Sequence, residues 1–181
     1  LANYDAVLSA LRVWNDPDGL NISARKMTIS TCGLIPGILR LAEEPEQFNL
    51  AVSLHAPNDE LRSKLMPVNR AYPLAKLMTA VETYLAKTGR KVLFEYLLLK
   101  GVNDSLEHAD QLAKLMRHPL YQVNLIKYHA TGFYSPSDLQ ERFSFKEHLE
   151  KQGVIVTHRI TFGEDIDAAC GQLANKSVAY A

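Results

Sequence analysis

The chain has 181 residues, 20 basic and 20 acidic side chains, 47% hydrophobic residues and a pI near 7.2. Such a composition predicts one globular domain with a sizeable core. Zero formal net charge argues against a free-standing polyanion binder, because non-specific nucleic-acid affinity comes from many uncompensated lysines and arginines. No apolar run is long enough to span a membrane, so we expect a cytoplasmic protein with no membrane partner.

Helical and strand patterns alternate along the whole chain. Predicted helices cover 4–14, 33–44, a short segment from 57, 74–87, 106–116 and 139–152. Predicted strands cover 26–30, 49–54, 92–99, 123–127 and 154–161. The third strand is almost continuously apolar, which predicts that both faces of the sheet are covered. Alternating strands and helices predict a single parallel α/β structure, but leave a doubly wound sheet and a barrel segment both open.

In parallel α/β folds the ligand site is built at the carboxyl ends of the strands. The polar residues predicted at those ends are Ser30, Thr31, Ser53, His55, Lys100, residues 127–129 and the segment from Thr161. From the residues alone, Ser30 has a simpler interpretation as a strand-end turn residue, and His55 as a structural histidine. Glu95 interrupts an apolar strand, and we expect a structural ion pair for it rather than a catalytic role.

Cys170 is one of two cysteines, and it lies in the distinctive string GEDIDAACGQL at 163–173. Asp167 as a helix N-cap would place Cys170 at the third helical position, where backbone N–H groups favour a thiolate. Neighbouring carboxylates act in the opposite direction. A buried, inert cysteine is the alternative that the residues by themselves favour. Cys32 and Cys170 together cannot supply the three thiolates of a typical iron-sulfur cluster.

Five segments, taken together, resemble a known family. They are RKMTIST at 25–31, SLHAPNDE at 53–60, GVND at 101–104, VNLI at 123–126 and DIDAACGQL at 165–173. In this order and over nearly the whole chain, they resemble the radical S-adenosylmethionine (SAM) RNA methyltransferases of the RlmN/Cfr type. These enzymes methylate an adenosine of 23S ribosomal RNA.

The resemblance implies an α/β fold, a partial (β/α) barrel of the radical SAM type with about five mostly parallel strands and flanking helices. It implies S-adenosylmethionine and a 4Fe-4S cluster as cofactors of the full-length protein. By position, the implied S-adenosylmethionine contacts are Ser30, Ser53, Leu54, His55 and His129. The family usually carries Asn, followed by Pro, where His129 stands here.

Cys170 matches the family's methyl-carrying cysteine. The resemblance implies that its thiolate takes a methyl group from one S-adenosylmethionine. A second S-adenosylmethionine is then cleaved to a 5'-deoxyadenosyl radical, which removes hydrogen from that methyl, and the carbon radical adds to adenine. The implied substrates are 23S rRNA and, as a further candidate, transfer RNA, with a reductant such as flavodoxin.

By the same resemblance, residues 1–181 form the carboxyl-terminal portion of a catalytic domain. The cluster-binding cysteines and the Gly-Glu-Pro strand of the family match nothing in this chain. We therefore expect an inactive fragment whose strand around Thr28 lies at an exposed sheet edge.

Other functions stay open at this point. Methylation at carbon 2 is favoured by the segment 53–60, whereas the residues before Asp165 favour Cfr-like methylation at carbon 8. An α/β enzyme acting on a phosphorylated metabolite would carry a glycine-rich phosphate loop, and the sequence shows none. A non-catalytic RNA-binding module would need a basic surface. Aromatic and basic residues do alternate over 127–134, as in single-stranded RNA sites, although solvated loop aromatics are an equal alternative.

Overall fold

The computed structural model describes residues 1–129 and 132–159. Five parallel strands form one sheet in the order β1-β2-β3-β4-β5. The strands are β1 (Thr28–Thr31), β2 (Asn49–Ser53), β3 (Val92–Leu98), β4 (Tyr121–Lys127) and β5 (Ile155–His158). The helices are α1 (Tyr4–Asn15), α2 (Ile35–Leu41), α3 (Asp59–Leu65), α4 (Leu74–Thr88), α5 (Leu106–Leu115) and α6 (Leu139–Lys151). Short 3-10 helices cover Ala24–Lys26 and Pro67–Arg70.

The strand order decides between the two architectures left open by the sequence. A doubly wound sheet reverses its order at a switch point, whereas each strand here pairs with the next one along the chain. Sequential parallel strands joined by helices form the wall of a barrel. The prediction of a partial barrel is therefore confirmed. Within the described residues, β1 pairs with β2 alone and forms an edge of the sheet, as expected.

Helices cover one face of the sheet and bury the main core. On β3, Val92, Phe94, Tyr96 and Leu98 are fully buried, and the helix pairs α2–α4 and α5–α6 pack together over the strands. The alternate residues of β3 are only half-buried. We call the side formed by Leu93, Glu95, Leu97 and their register partners the open face. The expectation that β3 is covered on both sides is wrong, because its leucines at 93 and 97 belong to this open face.

Local capping signals place several helix ends where the sequence predicts them. The Asn58 side chain accepts a hydrogen bond from the backbone N–H of Leu61 at 2.9 Å and begins α3. Gly89, with φ +61°, ends α4 in the left-handed conformation. None of the helices in the described part of the chain is long and apolar enough to cross a membrane.

Candidate functional site

The carboxyl end of β2 makes a left-handed turn at His55, whose φ is +58°. Such a conformation is uncommon for a residue with a side chain and must be held by its surroundings. The backbone N–H groups of Leu54 and His55 both donate to the carbonyl of Glu95, at 3.0 and 3.3 Å. The strand end is thereby attached to β3 as it leaves the sheet.

The side chain of Arg62, from α3, binds the backbone at this strand end. Its side chain is fully buried and donates to the carbonyls of Cys32 at 2.8 Å, Ser53 at 3.2 Å and Leu54 at 3.2 Å, and to Oδ1 of Asn69 at 2.8 Å. Burial lowers the pKa of this guanidinium. Its planar set of donors matches several carbonyls at once, which a lysine could not do. One side chain therefore joins the carboxyl ends of β1 and β2.

The side chain of Asn103 also binds the backbone of the turn at His55. This fully buried amide accepts from the N–H of Leu99 at 2.7 Å and donates to the carbonyls of His55 at 2.8 Å and Leu97 at 2.6 Å. Sequence reasoning treated the 101–104 segment as a turn and missed both Asn103 and Arg62. A signal was available only for Asn103, as part of a motif, since nothing in the sequence marks Arg62 as buried.

The imidazole of His55 has a fixed tautomer. Its Nδ1 accepts a hydrogen bond from the N–H of Leu97 at 3.1 Å, so the ring proton is on Nε2. Burial, and then the positive charge of Arg62, lower the pKa of His55 to about 4. The ring is therefore neutral near pH 7 and offers Nε2–H as a hydrogen-bond donor.

The predicted cofactor contacts fall into distinct environments. Ser30 is exposed on the open face near the end of β1, and Ser53 is half-buried on that face at the end of β2. Leu54 is fully buried, and its backbone N–H and carbonyl already bond to the protein, so it contributes packing. His129 is half-buried directly after β4. The predicted methyl carrier, Cys170, lies outside the described residues.

Glu95 lies on the open face, and its contacts differ from the expected ion pair. The carboxylate Oε2 accepts a hydrogen bond from Nδ2 of Asn124 at 2.9 Å, and this amide is its side-chain partner among the described residues. A neutral amide orients a carboxylate without neutralising it. Glu95 therefore lies, oriented by Asn124, on the side of the sheet where Ser30 and Ser53 lie.

The aromatic residues after β4 separate into two groups. Tyr128 is buried and meets Tyr134 edge to face, with ring centroids 6.3 Å apart. Phe133 is 89% exposed. Of the aromatics predicted to stack on RNA bases, Phe133 and Tyr134 are thus accessible, and Tyr128 is a packing residue.

The polar groups that the structure places at the strand ends suit an adenosyl ligand better than a metal ion. Hydroxyls from Ser30 and Ser53, the Nε2–H of His55 and the carboxylate of Glu95 can match the hydroxyl and ring nitrogen atoms of a nucleoside. Over 1–129 and 132–159, no group of three or more histidine, cysteine, aspartate or glutamate side chains is placed to hold a metal ion. The described part of the chain does not fit an iron-sulfur cluster.

Comparison with solved structures defines the class of protein. A radical SAM methyltransferase from Sphaerobacter thermophilus superposes with a TM-score of 0.91 and 46% identity, covering 94% of this chain and 51% of that one. A domain of a pyruvate-formate lyase-activating enzyme from Bacteroides vulgatus shares the fold alone, with a TM-score of 0.56 and 15% identity over 74% of this chain and 80% of that one. The chain has the partial-barrel fold of a radical SAM methyltransferase.

Curated relatives of this chain carry a more specific name. The protein named "Probable dual-specificity RNA methyltransferase RlmN" is 54% identical in Geobacillus kaustophilus over 96% of this chain and 48% of the relative. The same-named protein of Pelotomaculum thermopropionicum is 52% identical over 97% of this chain and 49% of the relative. No family model matches the chain. Over nearly its whole length the chain is similar to these RlmN proteins, and it spans about half of their length.

Proposed function

We propose that residues 1–181 form the carboxyl-terminal portion of the catalytic domain of an RlmN-type enzyme that methylates carbon 2 of an adenosine in 23S rRNA. The observation that carries this proposal is identity of about one residue in two with RlmN relatives along nearly the whole chain. Those relatives are named dual-specificity enzymes, and we include transfer RNA as a second substrate. An enzyme acting on these RNAs works in the cytoplasm.

The role of the described residues is to bind and orient S-adenosylmethionine. Ser30, Ser53 and His55 offer hydroxyl and imidazole groups on one side of the strand ends, and Arg62 and Asn103 hold the backbone there. The fixed Nε2–H of His55 supplies a donor whose direction does not change with protonation near neutral pH. His129, directly after β4, completes this set of contacts.

The cofactors supply the methyl group and the radical chemistry when they are bound to the full-length enzyme. We propose that the 4Fe-4S ligands belong to the part of the RlmN protein that this chain does not match, and that a reductant such as flavodoxin serves that part. Within this chain, Cys170 accepts the methyl group on its sulfur and presents it to the adenine. Phe133, exposed in the segment after β4, offers a ring for stacking on an RNA base.

Mass spectrometry of nucleosides tests this function. The full-length gene, expressed in cells that lack the corresponding modification, is expected to produce 2-methyladenosine in 23S rRNA. Cys170→Ala should abolish the product, because no other group carries the methyl. Cys32→Ala is the matched control and should retain activity, since the backbone carbonyl that Cys32 offers to Arg62 is kept in the variant.

Two outcomes would revise the proposal. Formation of 8-methyladenosine would assign the enzyme to the Cfr-like reaction, which the residues before Asp165 favour. Methylation by Cys170→Ala at the parent rate would exclude Cys170 as the methyl carrier. Unfolding is a poor explanation for loss of activity in this variant, because removing one sulfur costs little beside a large core truncation.

A further inference from the structure

Four polar side chains form one row across the open face of the sheet. The strand register pairs Ser53 with Glu95, Glu95 with Asn124, and Asn124 with Thr157. Register partners in a sheet lie on the same face, about 4.8 Å apart. We call Ser53, Glu95, Asn124 and Thr157 the polar row. The row crosses four strands, so it is a product of the fold and not of any local sequence motif.

Hydrogen bonds within the polar row orient the Glu95 carboxylate. The Thr157 hydroxyl donates to Oδ1 of Asn124 at 2.9 Å, and Nδ2 of Asn124 donates to Oε2 of Glu95 at 2.9 Å. Because its oxygen is occupied by Thr157, the Asn124 amide must present its NH2 group to the carboxylate. The other oxygen of Glu95, Oε1, and the Ser53 hydroxyl make no hydrogen bond to any residue that the structure describes.

The environment of the polar row favours a ligand that is polar at its centre and apolar on either side. Ala51 and Leu93 lie in the middle of the register row before it, with Ser30 and Gln122 on their outer sides, and Leu97 and Ile126 lie in the row after it. A charged acceptor beside a hydroxyl, between apolar side chains, matches a ribonucleoside: the cis-diol donates to the carboxylate, and the flat base covers the leucines. Strand-end carboxylates bind ribose hydroxyls in the same way in dinucleotide-binding folds.

We propose that Glu95, oriented by Asn124 and Thr157 and assisted by Ser53, binds the ribose cis-diol of an adenosyl ligand. The proposal rests on the proposed function for the identity of that ligand as S-adenosylmethionine. It gives the negative charge of β3 a binding role that its position in an apolar strand did not predict. A structural role alone would leave the bonds within the polar row unchanged whether a diol is present or not.

A cycle of ligand and protein changes tests the contact directly. Adenosine and 2',3'-dideoxyadenosine are titrated into the 181-residue chain, and affinities are measured from amide shifts by NMR. The parent should bind adenosine about tenfold or more tightly than the dideoxy compound, since hydrogen bonds to a charged group are strong. In Glu95→Gln, an NH2 donor replaces the free acceptor, and this ratio should fall below about threefold.

Two further variants keep the test decisive. Glu95→Asp keeps the charge but shortens the side chain, and it should also lose the preference for adenosine, which provides a second route if Glu95→Gln fails to fold. Glu82→Gln is the matched control, because it removes an exposed carboxylate of α4 outside the open face and should keep the parent ratio. An equal ratio in the parent and both Glu95 variants overturns the proposal, as does failure of the parent to bind adenosine at millimolar concentration.

Failure of this inference can be distinguished from failure of the proposed function. If the full-length Glu95→Gln enzyme methylates rRNA with an unchanged KM for S-adenosylmethionine, the diol contact is wrong and the methyltransferase function stands. If the full-length parent makes no methyladenosine, the function fails, while the adenosine cycle still decides whether the polar row binds a ribonucleoside. Loss of affinity for both nucleosides by the same factor in Glu95→Gln would indicate a cation or base contact and overturn the diol assignment.

Discussion

Arg62 and Asn103 hold the backbone of the candidate site, although both side chains are fully buried. Arg62 binds carbonyls at the ends of β1 and β2, and Asn103 binds the carbonyls of His55 and Leu97. Leaving a buried carbonyl without a donor costs about 1 to 3 kcal/mol. Loss of either side chain would therefore free the turn at His55 from a conformation that it adopts only under constraint.

The pKa of His55 gives a prediction about stability and pH. Its folded-state pKa, about 4, is below the ordinary value of 6.5, so the unfolded chain takes up the proton first as the pH falls. The stability from neutral His55 is complete above pH 6.5 and is lost as the pH falls through 4. The contribution is about 3 kcal/mol, from a difference of about 2.5 pKa units at 1.36 kcal/mol each.

His55→Asn isolates this contribution. Asparagine tolerates a left-handed conformation, and its Oδ1 can replace Nδ1 as the acceptor for Leu97. Urea unfolding at several pH values should show a shallower loss of stability between pH 6.5 and 4 in the variant than in the parent. His118→Asn is the control, since His118 is exposed and accepts a similar backbone hydrogen bond at 3.1 Å. Parallel curves for the parent and His55→Asn would contradict the assignment.

At the scale of elements, the turn from β1 to α2 is constrained by its neighbours. Gly33 has φ +103°, and a Cβ there would lie 3.1 Å from Nη2 of Arg62 and 3.3 Å from Cδ2 of Leu77. Few side chains adopt that backbone conformation, and the space is already occupied. Glycine is therefore required in this turn, because Arg62 must pass close to the backbone to reach the carbonyl of Cys32.

Gly33→Ala is expected to destabilise the chain by roughly 2 to 4 kcal/mol, through backbone strain and displacement of the guanidinium. Gly89→Ala provides the control, because Gly89 also has positive φ but no atom within 4 Å of its would-be Cβ. That variant should lose only about 1 to 2 kcal/mol. Equal losses in the two variants, measured by denaturant unfolding, would show that contact with Arg62 adds nothing to the strain.

At the scale of the whole molecule, the open face and the β1 edge limit what the 181-residue chain can do alone. The strand-end groups are the proposed nucleoside contacts, and no group of three or more histidine, cysteine, aspartate or glutamate side chains among the described residues is placed to hold a metal ion. We predict that S-adenosylmethionine binds this chain with a dissociation constant above the micromolar range. Ser30→Ala should weaken it further by about 0.5 to 1.5 kcal/mol, the value of one hydrogen bond.

Calorimetry with the purified chain tests this expectation, and anaerobic reconstitution with iron and sulfide supplies the control. Micromolar or tighter binding, or a stoichiometric cluster with charge-transfer absorption, would contradict it. Either result would mean that the chain supplies ligands that its two cysteines and the described strand ends do not account for.

The sequence by itself determined the elements and the similarity to RlmN proteins. Alternating periodicity and caps such as Asn58 and Gly89 depend on neighbours a few residues apart, and they predicted all five strands and the main helices. Boundaries were less accurate: α2 covers only Ile35–Leu41, and β1 begins at Thr28 after a 3-10 turn. Sequence motifs revealed the similarity to RlmN proteins, because about half of the residues match those relatives.

Tertiary structure decided which residues meet. The strand order excluded a doubly wound sheet, and the register brought Ser53, Glu95 and Asn124 into one row from segments far apart in the chain. The burial of Arg62 and the tautomer of His55 also depend on long-range contacts. Local sequence cannot encode such contacts in a readable form, because each side chain obtains its partner only when distant strands pair.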